Sequence, residues 1–175
     1  ALSRRLPPGE HKYPTWIKWT KKIIVEDGHT IPQLTHIWNL ITRHPNMFYS
    51  SRTQFVPQMV NSLNRLGLPS NRPLESRKLA VDLAALIIKW DEQTATEDRE
   101  RLSKESRASA TDDSVAGLAQ RQISTSETFR PNGVMMELVV SFLVRLCLMT
   151  CESSGTRFLS QRCLKLLRNA LAEQF

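Results

Sequence analysis

The sequence predicts an all-α chain whose helices stack in antiparallel pairs as a solenoid. Three observations carry this. Six stretches repeat apolar residues at helical spacing. No segment sustains the period-two alternation with turn punctuation that marks strands. Two stretches, "ESRKLAVDLAALIIKWDEQ" (75–93) and "NGVMMELVVSFLVRLCLMT" (132–150), are apolar on nearly every face. A helix that buries one stripe needs far less, so these two must touch neighbours on several sides.

Residues 1–14 hold three prolines and little periodicity, and read as an extended segment. The first helix is expected over 15–27, with Thr15 as N-cap and Trp16, Thr20, Ile23 and Ile24 on one face; Gly28 ends it. The second spans 30–44, capped by Thr30, with Pro32 in the first turn, where its missing N–H costs little. Its stripe is Leu34, Ile37, Trp38 and Ile41, and His44-Pro45 stops it. The third, 52–66, aligns Val56, Met59, Val60, Leu63 and Leu66, with Gly67 as a C-terminal cap and "LPSNRP" (68–73) as the turn.

The fourth helix, 74–92, sets Leu79, Leu83, Leu86, Ile87 and Trp90 in one stripe. Ala80, Val81, Ala84, Ala85 and Ile88 fill much of the rest. Composition changes at 94–131, where Ser, Thr and mixed charge dominate and Leu102, Val115, Leu118, Ile123 and Phe129 are the sparse apolar anchors. The helix is expected to fray near Lys104. The remainder buries too little surface to offset its ordering entropy and reads as a long mobile insert. Pattern returns in the fifth helix, 132–150, through Val134, Met135, Leu138, Val139, Phe142 and Leu146. The last, 156–173, places Leu159, Cys163, Leu166, Leu167 and Ala170 on one side. Six helices with short connections make three antiparallel pairs, and pairs stacked side by side form a solenoid. The domain reading is an extended segment 1–14, helical repeats 15–93, a low-complexity loop 94–131, and a further repeat 132–175. Because the chain opens without Met and closes inside a helical pattern, it is expected to be a piece of something longer.

The formal net charge is +7, a balance that favours acidic partners or nucleic acid. The excess is spread, with Arg4, Arg5, Lys12, Lys18, Lys21 and Lys22 near the start and Arg157, Arg162, Lys165 and Arg168 near the end, so a solvated face is the plainer reading. No run reaches the roughly 20 apolar residues of a bilayer span; "VVSFLVRLCLM" (139–149) is shorter and carries Arg145. The three cysteines, Cys147, Cys151 and Cys163, show no paired disulfide spacing, which points to a reducing compartment. Buried thiols are expected, because a metal would need two more ligands near Cys147 and Cys151.

The search for chemistry yields no catalytic, cofactor-binding or metal residue. There is no Gly-rich phosphate loop and no zinc-protease pattern. His11, His29, His36 and His44 lack a carboxylate or thiol to complete a ligand set. Trp16 and Trp19, interleaved with Lys18, Lys21 and Lys22, could stack on bases; Trp16, Trp19, Trp38 and Trp90 are read first as core. Ser103, Ser106 and Ser109 beside basic residues could accept phosphate, an unspecific signal.

The stretches "TKKIIVEDGHTIPQLTHIWNLITRH" (20–44), "LNRLGLPSNRPLESRKLAVDLAALIIKWDEQ" (63–93), "VVSFLVRLC" (139–147) and "LSQRCLKLLRNAL" (159–171) together resemble the TRRAP family of giant transcription coactivators, related to the phosphatidylinositol-3-kinase-like kinases. The segments follow the family's order, and "RKLAVDLAALIIKW" carries most of the resemblance. A low-complexity insert separates them at the same place as in the family, but the insert 92–131 itself bears no close resemblance, and the N-terminal "ALSRRLPPGEHKYP" is likewise unplaced. The resemblance implies a HEAT-like helical-repeat segment, lying outside the family's kinase-like domain, so no catalytic or nucleotide residue carries over. It also implies a nuclear, non-catalytic scaffold in SAGA-type histone acetyltransferase complexes. The expected partners are other subunits, transcriptional activators and neighbouring repeats of the same long chain, with no membrane and no cofactor. The alternative is a basic helical domain that binds nucleic acid. A continuous basic groove with exposed Trp16 or Trp19 would favour it; buried tryptophans and scattered charge favour the scaffold.

Overall fold

The computed structural model describes residues 14–26, 30–109 and 129–172. Seven helices run in order: α1 (Thr15–Glu26), α2 (Ile31–Arg43), α3 (Pro45–Tyr49), α4 (Arg52–Gly67), α5 (Leu74–Ser109), α6 (Gly133–Thr150) and α7 (Arg157–Ala172). There is no strand among the described residues. The helices sort into two layers. In one, α4 packs on α1 and α6; in the other, α5 packs on α2 and α7. Across the layers α4 packs most closely on α5, and α6 on α7. The short turns between them reverse the chain, so these are antiparallel hairpins, as the solenoid reading requires. The first pair is looser: α2 lies more on α5 than on α1.

The ends of the elements follow local chemistry. At α6, Asn132 is the N-cap and its side chain accepts from the backbone N–H of Met135 at 2.8 Å. At α1 the Pro14 carbonyl accepts from Ile17 and Lys18, and Thr15 is already helical, so it is not the cap. Thr30 does stand at the N-cap of α2, but its hydroxyl donates to Gln33 Oε1 at 2.6 Å and caps no backbone N–H. The Pro45 that stops α2 also starts α3, where its fixed φ suits the first turn. This short helix has no sequence period of its own. It buries Phe48, whose ring meets Trp16 of α1 at 5.2 Å and Phe55 of α4 at 5.4 Å, both edge-on.

The core runs the length of the stack. Trp38, Trp90, Phe55, Phe142, Met59, Leu63, Leu66 and Leu83 are all fully or almost fully buried. The stripes of α2, α4 and α5 lie inward as expected, and α5 buries Leu79, Ala80, Val81, Leu83, Ala84, Leu86, Ile87, Ile88 and Trp90. Its many apolar faces are explained by its place: α5 meets its own partner α4 and, in its own layer, both α2 and α7.

Gly67 is the last residue of α4, and the helix ends at Leu68 in right-handed conformation. Its role is therefore space, not a left-handed cap. A Cβ there would stand 2.5 Å from Phe142 Cε2 and 3.3 Å from the Ala80 Cβ, so the bare backbone lets α6 press against the α4–α5 hairpin.

Three further expectations change. On α1, Ile17 and Ile24 are buried while Trp16 and Ile23 are exposed, so the packed face is rotated from the one the apolar spacing suggests. On α6, Val134 and Leu138 face outward. The fourth helix does not end near 92: α5 continues to Ser109, and Thr94 and Ala95 are buried. The boundary at 93/94 thus falls inside a helix. Of the expected mobile insert, 110–128 lies outside the described residues, with its anchors Val115, Leu118 and Ile123, as do 1–13 and the Gly28 stop.

Candidate interaction surfaces

Where α3 and α4 meet α5, a polar network holds the chain as it returns at Phe129. Arg52 is 9% exposed and lies 4.2 Å over the Tyr49 ring. Its Nε donates to the Phe129 carbonyl at 3.2 Å and its Nη1 to the Tyr49 carbonyl at 3.0 Å. The Tyr49 hydroxyl donates to Glu97 at 2.8 Å and lies 3.1 Å from the Thr94 hydroxyl. Burial pushes the Tyr49 pKa above its ordinary value. One residue on, Arg130 makes a two-pronged ion pair with Asp91 of α5, at 3.0 and 3.2 Å. Sequence reading gave Arg52 no role, because one arginine at a helix start carries no local signal of what it will meet 77 residues away.

Three surfaces stand open. The first is on α1. Trp19 is 58% exposed and Trp16 37%. The Lys22 ammonium lies 5.2 Å over the Trp19 ring and 3.7 Å from Glu26. Beside them a groove of about 380 Å³ is lined by Ile17, Lys18, Lys21, Lys22, Val25, Glu26 and Gln54, and Lys21 donates to Gln54 across it at 2.6 Å. The second is a polar cleft of about 490 Å³ between α2 and α5, where Arg43 and Lys89 flank Asp82. Asp82 is held by Arg162 of α7. The third is apolar: Val134, Leu138, Val144, Leu148 and Met149 of α6, with Phe158, Leu164 and Leu171 of α7, are all exposed.

α6 is, among the described residues, the one helix long and apolar enough to cross a membrane. It packs on α7 and α4, with Val139, Phe142, Leu143 and Leu146 buried. The run of 11 residues, 139–149, understates it: the apolar helix is 18 residues long.

The titratable candidates scatter. His36 and His44 are exposed, and His11 and His29 lie outside the described residues. No group of His, Cys, Asp or Glu among the described residues could hold a metal. The three cysteines differ: Cys163 is fully buried, Cys147 half-buried, and Cys151 exposed beyond the end of α6. Cys147 Sγ lies 3.2 Å from the Ser160 hydroxyl. Burial pushes the Cys163 thiol up to about 12, with the neighbouring Cys147 adding to the shift. Ser103 is exposed and its hydroxyl donates to the Glu100 carbonyl; Ser106 and Ser109 continue the same helix.

The tryptophans divide. Trp38 and Trp90 are core, while Trp16 and Trp19 are on the surface. Of the cations, Lys18, Lys21 and Lys22 fall on α1, and Arg157, Lys165 and Arg168 on α7.

Over residues 1–175 the chain matches the family profile described as the Tra1 HEAT repeat ring region. It is 53% identical over 91 residues to the probable transcription-associated protein 1 of Dictyostelium discoideum, covering 52% of this chain. It is 32% identical over 190 residues to the human transformation/transcription domain-associated protein, covering 87% of this chain. It is 34% identical over 80 residues to the SAGA complex/NuA4 acetyltransferase complex subunit TRA1 of Saccharomyces cerevisiae, covering 46%. The chain spans only 2%, 5% and 2% of the length of these three relatives. No solved structure matches it.

Proposed function

The chain belongs to the Tra1 HEAT repeat ring family, and on that premise we propose that it is a non-catalytic scaffold segment of a large nuclear coactivator of the TRRAP kind. It contributes protein-interaction surface for transcriptional activators and for other subunits of a SAGA-type histone acetyltransferase complex. The observation that carries this is the match of all 175 residues to a repeat-ring profile, joined to a two-layer stack with open apolar surface at α6 and α7. Exposed apolar patches of this kind normally mark a missing partner. The yeast relative's name places that protein in SAGA and NuA4 acetyltransferase complexes, which supports the same assignment here. The domain reading that follows is two helical units, one through α5 and one of α6 and α7, joined by the segment after Ser109.

The test is a purification of the full-length protein with α5 disrupted at its centre by Leu83→Pro and Ile87→Pro. Loss of co-purifying acetyltransferase subunits, with the chain still present at normal abundance, supports the scaffold. Undiminished recovery of every subunit would count against it.

One observation favours a second reading, nucleic-acid binding: Trp19 is exposed beside lysines. Against it, Lys22 is engaged with Glu26. Quenching of Trp19 fluorescence by a single-stranded oligonucleotide, lost in Trp19→Phe, would revive that reading.

A further inference from the structure

The cleft between α2 and α5 has the charge and the donors of an oxyanion site, and helical register builds it. Asn39 and Arg43 stand one turn apart on α2. Asp82, Ala85 and Lys89 follow one another at three- and four-residue spacing on α5, and so share one side of that helix. The small side chain of Ala85, between the two charged residues, leaves the space of about 490 Å³ open. Asp82 is held by Arg162 of α7, which balances its charge. Arg43 and Lys89 are exposed, and neither has an ion pair or hydrogen bond among the described residues. The Thr42 hydroxyl is spent on its own helix, donating to the Trp38 carbonyl at 2.9 Å. The donors left to the cleft are therefore the Arg43 guanidinium, the Lys89 ammonium and the Asn39 amide.

We propose that this cleft binds a phosphorylated serine or threonine side chain on a partner protein. Two unmatched positive charges fit the charge of about −1.5 to −2 that a phosphomonoester carries at neutral pH; a carboxylate would leave one of them unmatched. A guanidinium can donate to two phosphate oxygens at once, and an ammonium adds a point charge that three rotatable donors can aim. One cation from each helix suits a single phosphate, whereas a nucleic-acid backbone presents a row of them. The volume leaves room for the peptide backbone on either side of the phosphorylated residue. The proposal rests on reading the chain as a protein-interaction surface.

The experiment uses the full-length protein in its complex, dephosphorylated beforehand, and reads the rate at which an amine-acylating reagent labels Lys89. The probe is an N-acetylated pentapeptide carrying one phosphoserine among alanines and glycines. It should slow Lys89 labelling several-fold and leave Lys22 and Lys165 unchanged. The same peptide with serine should give no protection, and with glutamate clearly less. Arg43→Gln should abolish the protection without altering the basal labelling of Lys89, and Arg43→Lys should retain part of it. No protection by the phosphopeptide, or undiminished protection in Arg43→Gln, would overturn the proposal. Equal protection by the glutamate peptide would make the cleft a carboxylate site, and equal protection by inorganic phosphate at the same concentration would make it a site for the free anion; either overturns the assignment to a phosphorylated protein. Co-purification of acetyltransferase subunits with the unsubstituted chain reports separately on the scaffold reading.

Discussion

Gly67 sets how closely the second and third helical pairs approach. With a Cβ 2.5 Å from a ring that is itself 1% exposed, Gly67→Ala forces Phe142 or α6 to shift. The expected cost is about 1–3 kcal/mol, as for overpacked cores, seen as a lower denaturation midpoint. Adding Phe142→Leu should recover part of that loss, since residues in contact do not act additively. Cys163 gives a pH signature. Its thiol is raised from 9.0 to about 12 by burial, so the unfolded chain releases that proton first. Stability should fall as pH rises from about 9 toward 12, and Cys163→Ala should flatten that slope. Alkylation should label exposed Cys151 well before Cys163 in the native protein.

At the scale of the element, α5 is one helix with two characters. From Leu79 to Ala95 it is core, touching α4, α2 and α7. Beyond Thr96, residues 99–104 are all exposed, and Arg101 pairs with Asp98 at 3.1 Å. Such exposed i,i+3 pairs contribute only a few tenths of a kcal/mol. Amide hydrogen exchange should therefore be slow over 80–95 and fast over 99–109, despite an unbroken helix. Leu83→Ala should cost roughly 2–5 kcal/mol, as for fully buried leucines, and a cost below about 1 kcal/mol would remove α5 from the centre of the stack.

For the whole molecule, the open α6–α7 edge dominates behaviour in solution. The isolated 175-residue chain should self-associate, because a second copy can cover the exposed apolar surface on two adjacent helices. Light scattering should show species larger than a monomer. Leu148→Glu together with Leu164→Glu should shift the population toward the monomer without lowering the melting temperature much, since both side chains are more than half exposed. The net charge of +7 opposes association through long-range repulsion and is screened by salt, so association should increase with ionic strength.

Periodicity alone determined the all-α class, the paired order of helices and the buried stripes of α2, α4 and α5, because the residues that read as apolar at 3.6-residue spacing had few alternatives to burial. The resemblance of 20–44 and 63–93 already pointed to the family that the full-length profile match shows. Tertiary structure decided what period cannot encode. On α1 and α6 more apolar residues exist than neighbours to cover them, so spacing could not say that Ile17 goes in with Ile24 while Trp16 and Leu138 stay out. The short α3 forms because Phe48 finds Trp16 and Phe55. Past its apolar stripe α5 is held as far as Glu97 because Thr94 and Glu97 meet the Tyr49 hydroxyl, a contact 45 or more residues away in sequence. Gly67 looks like a helix stop in one dimension and becomes a packing contact only when Phe142, 75 positions later, arrives beside it. The candidate surfaces belong to that same class: an exposed side is defined by which neighbours are present, and local spacing carries no record of them.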